Sequence, residues 1–400
     1  SELCQFRKLQ CHNCGEIRTM MAGMETKMAN NNAVMETKLT NLDTKMANLQ
    51  ANVEAKFKAV NDEVRGMRTS LNEVKDAFET LKDAVLEKIE SVARKQEEIT
   101  STASGGSENQ HIFVAGGSKT KSVEIFNYHQ RLWSSLKPMP EYRHSASAFV
   151  YNNQVTVAGG WCGLNSVENM IRMSIQPVPD LSVNWSDFAA KLPAKMCGHS
   201  SVVYKDSLFI SGGCNEDQYV ISDCIYEVQL QPPYTVKLVS KMPEPRVDHC
   251  TVLCDDNILI VGGTKSRAFK DNLSSVLRYD IKKNECQQLP ELPYAVSEMA
   301  MVKWAENVVI IGGVDKDGNV LNKVIIYNTK TGNSHMLPPM LHKRRGCAAV
   351  VIENTIVALG GVDERRNVLK SVEGFSFERF SWEELPEMEE ARYHSTAVVI

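Results

Sequence analysis

The 400-residue sequence has no uninterrupted apolar run long enough to span a bilayer, and its first ten residues lack the apolar core and cleavage site of a signal peptide. It also lacks a charge excess, because 45 Lys and Arg against 49 Asp and Glu leave a formal net charge of -4. So small a charge favours neither nucleic acid nor an anionic membrane as a partner. We therefore expect a cytoplasmic protein that binds neither.

Proline is absent from the first third of the chain, since all 14 prolines lie at or after Pro138. The first 100 residues are instead rich in Lys, Glu, Ala, Met and Asn. Between the two compositions, residues 101–110 contain the Ser/Gly-rich stretch STASGGSEN, which is typical of a flexible linker. The sequence thus predicts two structural regions joined by a short connection.

Residues 17–100 carry a heptad pattern. Their apolar positions are separated by steps of four and three that alternate except for two repeated steps of four, at Val53 to Phe57 and Val85 to Ile89. The positions are Met35, Leu39, Leu42, Met46, Leu49, Val53, Phe57, Val60, Val64, Met67, Leu71, Val74, Phe78, Leu81, Val85, Ile89 and Val92. Such a seam is the signature of helices that bury a narrow stripe against one another. We therefore expect a long coiled coil and a homo-oligomer. The mixture of Met, Val, Leu and Phe does not choose between dimer and trimer, or between parallel and antiparallel helices.

From residue 111 onward the sequence repeats. Six apolar runs each close on two glycines: IFVAGG, VTVAGG, LFISGG, ILIVGG, VVIIGG and IVALGG. The doublets lie 43 to 53 residues apart, and each has one further strand-like segment before it and two after it. Four strands in each of six repeats predict an all-β, six-bladed β-propeller over residues 111–400.

The repeats resemble those of the kelch family, in which an aromatic residue and a tryptophan seven positions later follow the glycine doublet. Phe126 with Trp133 and Phe375 with Trp382 match this spacing. Tyr279 and Tyr327 keep the aromatic but are followed by Cys286 and Ser334, and the second repeat, with Met173 and Trp185, is irregular. The resemblance covers about 290 residues and is specific for fold rather than for activity.

The first repeat begins at its glycine strand, HIFVAGG, and the sequence ends on RYHSTAVVI, which has the pattern of the missing preceding strand. We therefore expect residues 392–400 to complete the first blade. This pairing would remove two exposed strand edges, which otherwise promote aggregation.

Strand direction places the segments that follow the glycine doublets and the segments between blades on one face of the disc. These loops are rich in arginine and aromatic residues, the usual anchors of protein interfaces. The candidate partner-binding residues are Arg143, Trp161, Tyr219, Arg246, Arg267, Phe269, Arg344, Arg365, Arg366, Arg392 and Tyr393. The kelch resemblance implies peptide capture on this same face, and the arginines favour an acidic peptide.

Two other patterns are interpreted as structural. Four histidines, His144, His199, His249 and His394, recur at what the sequence suggests are equivalent positions, and once-per-blade residues indicate packing rather than a catalytic or metal cluster. The segment VDKDGN of the fifth repeat is rich in aspartate but lacks the twelve-residue calcium spacing. Eight of the 11 cysteines are scattered through the propeller and are expected to be free thiols.

Residues 1–16 contain a small cysteine cluster. Cys11 and Cys14 have the C-x-x-C spacing of zinc ligands, and Cys4 lies nearby. A closed zinc site needs four ligands, so the cluster is either an incomplete zinc module or a set of free cysteines. It resembles the end of a B-box module, which precedes a coiled coil in tripartite-motif proteins. The sequence shows no RING finger, and no other cofactor is expected.

Three classes of function compete. The leading interpretation is a non-catalytic adaptor or substrate receptor, of the kind that serves ubiquitin ligases, in which the coiled coil supplies several copies and the propeller binds a protein or peptide. The second is a cytoskeletal crosslinker that binds actin. The third is a propeller enzyme with an unrecognised metal site; the absence of a sialidase-type Asp box or a metal-ligand set argues against it.

Overall fold

The computed structural model describes residues 2–101, 110–174, 184–215 and 217–400, with side chains described within the helix for residues 15–73 and 75. The chain divides into two compact units, residues 1–103 and 104–400. The first unit is a single helix, α1 (Glu2–Ser101). Among the described residues, no helix combines the length and the apolar character that crossing a membrane requires.

The apolar seam of α1 is exposed on the single chain. From Met35 to Leu71 every seam residue has a solvent-exposed side chain, including Leu39, Leu42 and Leu49, which are 66%, 59% and 68% exposed. The seam residues from Val74 onward have side chains outside the described part. A long helix is therefore present where the sequence predicts one, and the coiled coil stays a prediction.

In its described residues, the second unit contains 28 strands and one short 3-10 helix. The strands of the first half are β1 (His111–Ala115), β2 (Val123–Asn127), β3 (Leu132–Leu136), β4 (Ser147–Tyr151), β5 (Gln154–Ala158), β6 (Asn169–Ser174), β7 (Trp185–Lys191), β8 (Ser200–Tyr204), β9 (Ser207–Ser211), β10 (Cys214–Asn215), β11 (Val220–Ile221), β12 (Cys224–Gln229) and β13 (Val236–Lys241). Those of the second half are β14 (Cys250–Cys254), β15 (Asn257–Val261), β16 (Val276–Asp280), β17 (Glu285–Leu289), β18 (Val296–Ser297), β19 (Ala300–Trp304), β20 (Asn307–Ile311), β21 (Val314–Asp315), β22 (Val324–Asn328), β23 (Ser334–Leu337), β24 (Ala348–Ile352), β25 (Thr355–Leu359), β26 (Val372–Ser376), β27 (Ser381–Leu385) and β28 (Thr396–Val399). The 3-10 helix is Phe269–Asp271.

Six four-stranded antiparallel sheets form the blades of a propeller. From the inner strand a to the outer strand d, they are β28-β1-β2-β3, β4-β5-β6-β7, β8-β9-β12-β13, β14-β15-β16-β17, β19-β20-β22-β23 and β24-β25-β26-β27. In blade one, Thr396 to Val399 pair with Ala115 to Ile112. The last strand of the chain is thus strand a of the first blade, at the place that the sequence register assigns to it.

The core consists of six apolar clusters, one in each interface between neighbouring blades. Strand b of each blade is buried on both faces. Its sequence is therefore mostly apolar and does not alternate between apolar and polar residues, as in Asn257–Val261. The aromatic and tryptophan positions of the repeat lie opposite each other on strands c and d, Phe126 against Trp133 and Phe375 against Trp382.

These tryptophans also join neighbouring blades. The Trp133 Nε1–H donates to the Pro386 carbonyl at 2.8 Å, and the Trp382 Nε1–H donates to the Pro338 carbonyl at 2.8 Å. Tyr327, in a blade that has Ser334 in place of tryptophan, reaches the Pro290 carbonyl with its own hydroxyl at 3.0 Å. In these three blades, either a tryptophan or a tyrosine therefore donates the hydrogen bond to a proline carbonyl of the preceding blade.

The glycine doublets make a second and more regular connection. The N–H of each second glycine donates to a carbonyl in the segment that precedes strand a of the next blade, at 2.7–2.9 Å. The six pairs are Gly117 with Arg143, Gly160 with Met196, Gly213 with Arg246, Gly263 with Val296, Gly313 with Arg344 and Gly361 with Arg392. A Cβ on the first glycine of each doublet would lie only 2.3–2.9 Å from that same carbonyl oxygen, so the approach excludes any side chain.

Four of these carbonyl-bearing residues are arginines, and their side chains bind the next doublet. Arg143, Arg246, Arg344 and Arg392 are 0–1% exposed, and each Nη1 donates to the carbonyl of the first glycine, at 3.0, 3.1, 2.6 and 2.8 Å. Each arginine therefore links two blades, through its carbonyl on one side and its guanidinium on the other. Arg344 and Arg392 also pair with the buried carboxylates of Glu373 and Glu124, at 2.5 and 2.6 Å.

Replacing Arg392 tests this connection, because it joins blade six to blade one. We expect Arg392→Met to lower the free energy of unfolding by about 3–5 kcal/mol, since it leaves the Glu124 carboxylate buried without its cation. Adding Glu124→Gln should recover part of the loss. Urea unfolding of the full chain measures both.

Arg131→Met is the matched control, because Arg131 makes an exposed ion pair with Glu383 at 3.1 Å. Its expected cost is below about 1 kcal/mol. Equal losses for the Arg392 and Arg131 variants would show that the buried arginine is not a structural connection.

Candidate functional site

The face that carries the glycine doublets is organised around a closed ring of backbone hydrogen bonds. Six residues, each two positions before the start of strand a of its blade, form the ring. The backbone N–H of each one donates to the backbone carbonyl of the ring residue before it, at 2.7–3.0 Å. In ring order they are Ser145, Gly198, Asp248, Glu298, Gly346 and His394. All six have φ between 52° and 61°, the left-handed conformation. The ring fixes the positions of the side chains beside it.

The ring also corrects the interpretation of the four histidines. His394 is a ring residue, His144 precedes a ring residue, and His199 and His249 follow one, so they occupy three different positions. His199 and His249 are buried and neutral in character, because burial lowers the pKa of His199 to about 4 and that of His249 well below its ordinary value. Their Nε2 atoms contact Ser147 and Ser211 of the preceding blade, at 3.0 and 2.7 Å.

Four residues form a polar cluster on the ring, which we call the ring cluster: Glu298, Arg345, Tyr393 and His394. The Glu298 Oε2 atom lies 2.6 Å from Arg345 Nη1, 2.7 Å from the Tyr393 hydroxyl and 3.3 Å from His394 Nε2. Arg345 also donates to the Tyr393 hydroxyl at 2.8 Å. Gly346 makes room for this arrangement, because a Cβ there would lie 2.2 Å from the Tyr393 ring.

Charge pairing shifts the protonation of this cluster. Burial alone would raise the pKa of Glu298, but His394, Arg345 and Tyr393 lower it to about 2. Burial would lower the pKa of His394, whereas Glu298 and Asp248 raise it above its ordinary value, against an opposing contribution from Arg345. The fold therefore favours an ionised Glu298 and stabilises the protonated form of His394.

An aromatic and arginine surface adjoins the ring cluster. The Arg345 guanidinium carbon lies 5.2 Å from the centre of the Tyr393 ring and 5.8 Å from that of Phe269. Next to Phe269, Arg267 stacks over Tyr219 at 5.3 Å. We call these five residues, Tyr219, Arg267, Phe269, Arg345 and Tyr393, the loop-face patch.

The patch is built from four segments of the loop face and is open to solvent at its Tyr219 end. Tyr219 is 76% exposed and Phe269 36% exposed, and Arg267 is exposed as well. A cation held over aromatic rings, beside an exposed tyrosine, is an arrangement that suits protein or peptide recognition.

Four of the predicted partner-binding residues lie in this patch: Tyr219, Arg267, Phe269 and Tyr393. Arg365 and Arg366 are exposed on the segment after the blade-six doublet. That segment is shaped by Asp363, whose Oδ1 accepts the N–H groups of Arg365 and Asn367 at 2.8 Å each. Asp315 accepts the N–H groups of Asp317 and Asn319 in the same way, so the aspartate of VDKDGN shapes a turn.

Trp161 is half-buried, and its backbone N–H donates to the His144 carbonyl at 2.9 Å. The prediction that Arg143, Arg246, Arg344 and Arg392 face a partner is wrong, because their guanidinium groups lie inside the blades and bind glycine carbonyls. Arg345, which the sequence reasoning missed, stands next to Arg344 and one position before the ring residue Gly346. When the repeats are aligned on the ring residue, Arg344 lies two positions before it and Arg345 one position before it, so the alignment distinguishes the buried arginine from the one in the ring cluster.

The predicted zinc ligands Cys4, Cys11 and Cys14 have side chains outside the described part of the chain. Where side chains are described, no three or more His, Cys, Asp or Glu residues are grouped so that they could hold a metal ion. The eight cysteines of the propeller are not joined in disulfides.

Six four-stranded blades that close through the last strand define a six-bladed β-propeller. Comparison with known proteins identifies the type of blade. The model described as KLHDC2/KLHL20/DRC7 Kelch-repeats domain matches residues 81–263, and the Kelch motif matches residues 245–293, 296–341 and 343–389. The propeller is therefore built of kelch repeats.

Curated relatives include Kelch-like protein 35 of Mus musculus, 25% identical over 210 residues, which are 52% of this chain and 33% of the relative. Ras guanine nucleotide exchange factor F of Dictyostelium discoideum is 26% identical over 196 residues, 45% of this chain and 17% of the relative. The chain thus spans at most about a third of the length of these two relatives. The solved structure of YjhT has the same fold, with a TM-score of 0.60 at 12% identity, over 70% of this chain and 96% of that one.

The cluster predicts a pH-dependent effect of replacing His394 by asparagine, a residue that tolerates the left-handed backbone. A raised histidine pKa stabilises the fold fully below the unfolded-state value, and the contribution is lost as pH rises through the folded-state value. We therefore expect wild type to exceed His394→Asn in free energy of unfolding at pH 6, and the difference to shrink toward pH 9.

Denaturant unfolding at several pH values measures this difference. His335→Asn, at an exposed position on strand β23, is the control and should show a constant difference. A gap between wild type and His394→Asn that widens as pH rises would contradict the pairing with Glu298.

Proposed function

We propose that this protein is a non-catalytic adaptor or substrate receptor that binds a protein or peptide on the loop-face patch of its propeller and self-associates through α1. Two sets of cation–aromatic contacts carry the proposal: Arg267 over the exposed Tyr219, and Arg345 beside Phe269 and Tyr393. Kelch repeats in the curated relatives support a role in protein interaction. The named activities of those relatives differ, so none of them is transferred to this chain.

The charges of the patch refine the expected partner. Arg345 is already paired with the Glu298 carboxylate at 2.6 Å. Arg267, Lys265 and Lys270 are exposed cationic residues at the outer end, and Lys265 lies 4.0 Å from Glu244 Oε2. The arrangement favours a peptide that places an aromatic or aliphatic side chain between Tyr219 and Phe269 and an acidic residue near Arg267.

Affinity purification with the full chain tests the patch. The variant Tyr219→Ala, Arg267→Glu and Phe269→Ala should lose partners that wild type retains, because it removes two exposed anchors and reverses a charge without touching a buried residue. Quantitative mass spectrometry of the captured proteins gives the readout, and we expect at least a tenfold loss of a true partner.

The control is Lys283→Glu, which makes the same charge change in the turn between β16 and β17, where Lys283 is 69% exposed. That turn joins strands c and d and therefore lies on the opposite face of the propeller. Identical partner lists for the patch variant, the control and wild type would place recognition elsewhere on the molecule.

Self-association is proposed from the exposed seam of α1. Burial of a leucine side chain stabilises an interface by roughly 1.5–3 kcal/mol, so the 17 seam positions strongly favour pairing with a second copy. Multi-angle light scattering should give a multiple of the chain mass for wild type, and the mass should fall toward that of one chain for Leu42→Asp with Leu49→Asp.

Lys45→Asp with Lys56→Asp alters exposed helix positions outside the seam and serves as the matched control, which should keep the wild-type mass. A wild-type protein that has the mass of one chain at micromolar concentration would contradict self-association. That result would leave the proposal for the propeller patch intact, since the two experiments are independent.

A further inference from the structure

Two cysteines of blade three face each other across an isolated antiparallel bridge. The Cys197 N–H donates to the Cys214 carbonyl at 3.0 Å, and the Cys214 N–H donates to the Cys197 carbonyl at 2.8 Å. Residues paired in this way have Cα atoms about 5.5 Å apart and side chains on the same face. A disulfide requires a Cα separation of about 4.4–6.8 Å, so the two thiols are within bonding range after small movements.

The two cysteines lie in different segments of the loop face. Cys197 precedes the ring residue Gly198, and Cys214 directly follows Gly213 at the start of β10. Strands β10 and β11 form a short hairpin whose turn carries Tyr219, a residue of the loop-face patch. A bond between the cysteines would therefore attach the base of this hairpin to the central ring.

A cation lies beside the Cys214 thiol. The Arg267 Nη2 atom lies 3.9 Å from its Sγ atom, and a neighbouring guanidinium favours the thiolate, which is the nucleophilic form. Cys214 therefore combines a guanidinium beside its sulfur with a second thiol directly opposite.

We propose that Cys197 and Cys214 form a reversible disulfide when the protein meets hydrogen peroxide. The Cys214 thiolate attacks one peroxide oxygen, the O–O bond breaks, and hydroxide leaves and takes up a proton as water. The Cys197 sulfur then attacks the Cys214 sulfenic acid, the S–O bond breaks, and the hydroxide leaves with the Cys197 proton as a second water. Two thiols are oxidised by two electrons, and one peroxide is reduced to two waters.

Burial and geometry decide which oxidant fits and why the bond is reversible. Cys197 and Cys214 are 6% and 3% exposed, which favours a small oxidant over a bulky disulfide reagent. Hydrogen-bonded pairs keep their Cβ atoms at up to about 5.5 Å, whereas a disulfide needs about 3.5–4.5 Å. The bridge must close by roughly 1 Å, and a disulfide strained in this way is readily reduced.

Mass spectrometry of the full chain tests the proposal. The protein is treated with hydrogen peroxide, remaining thiols are blocked with iodoacetamide, and the non-reduced digest is searched for linked peptides. We expect a Cys197–Cys214 linkage in wild type that dithiothreitol removes and that Cys197→Ser and Cys214→Ser both lack. In Cys197→Ser, Cys214 should instead accumulate sulfenic acid that dimedone labels.

Arg267→Met should slow formation of the linkage at a fixed peroxide concentration, since it removes the cation beside Cys214, while Cys347→Ser leaves the rate unchanged. The proposal is overturned if wild type shows no Cys197–Cys214 linkage under conditions that oxidise other cysteines, or if the linkage forms equally fast in Arg267→Met. The readout is the peptide itself, so it does not depend on partner binding by the patch.

Discussion

The propeller depends on one contact that occurs six times, the hydrogen bond from the second glycine of each doublet to a carbonyl of the next blade. The backbones approach so closely there that a Cβ on the first glycine would collide with the same oxygen. This is why two glycines, rather than one, end each strand b. The closed backbone ring, the buried arginines and the position of the loop-face patch all follow from the spacing that this contact sets between blades.

Four of the six contacts are reinforced by a buried arginine, and two are not. Met196 and Val296 occupy the equivalent positions in the other blades and provide a carbonyl without a guanidinium. The interfaces at Arg344 and Arg392 contain fully buried ion pairs with Glu373 and Glu124. Because a buried charge without its partner is costly, these two pairs favour correct assembly of blades five, six and one over partial association.

The sequence was sufficient to predict the number of blades, their strands and the pairing of the last strand with the first blade, because each of these leaves a periodic signal. The function of individual arginines was not predictable in the same way. Arg344 and Arg345 are adjacent in the chain, yet one lies inside the interface and the other joins the ring cluster, a difference set by register against Gly346. The contact between Arg345 and Glu298 joins residues 47 positions apart and has no sequence signature.

Closure by β28 has a consequence for how the protein is made. Strand β1 is synthesised first among the propeller strands, but the strand that completes its sheet, Thr396–Val399, is synthesised last. Until then the ribosome-bound chain exposes an unpaired edge of blade one, and the Glu124 carboxylate lacks its ion-pair partner, Arg392. The interface between blades six and one therefore forms only after almost the whole propeller has been translated. The nascent chain consequently needs protection from aggregation for longer than a protein that is built of local contacts.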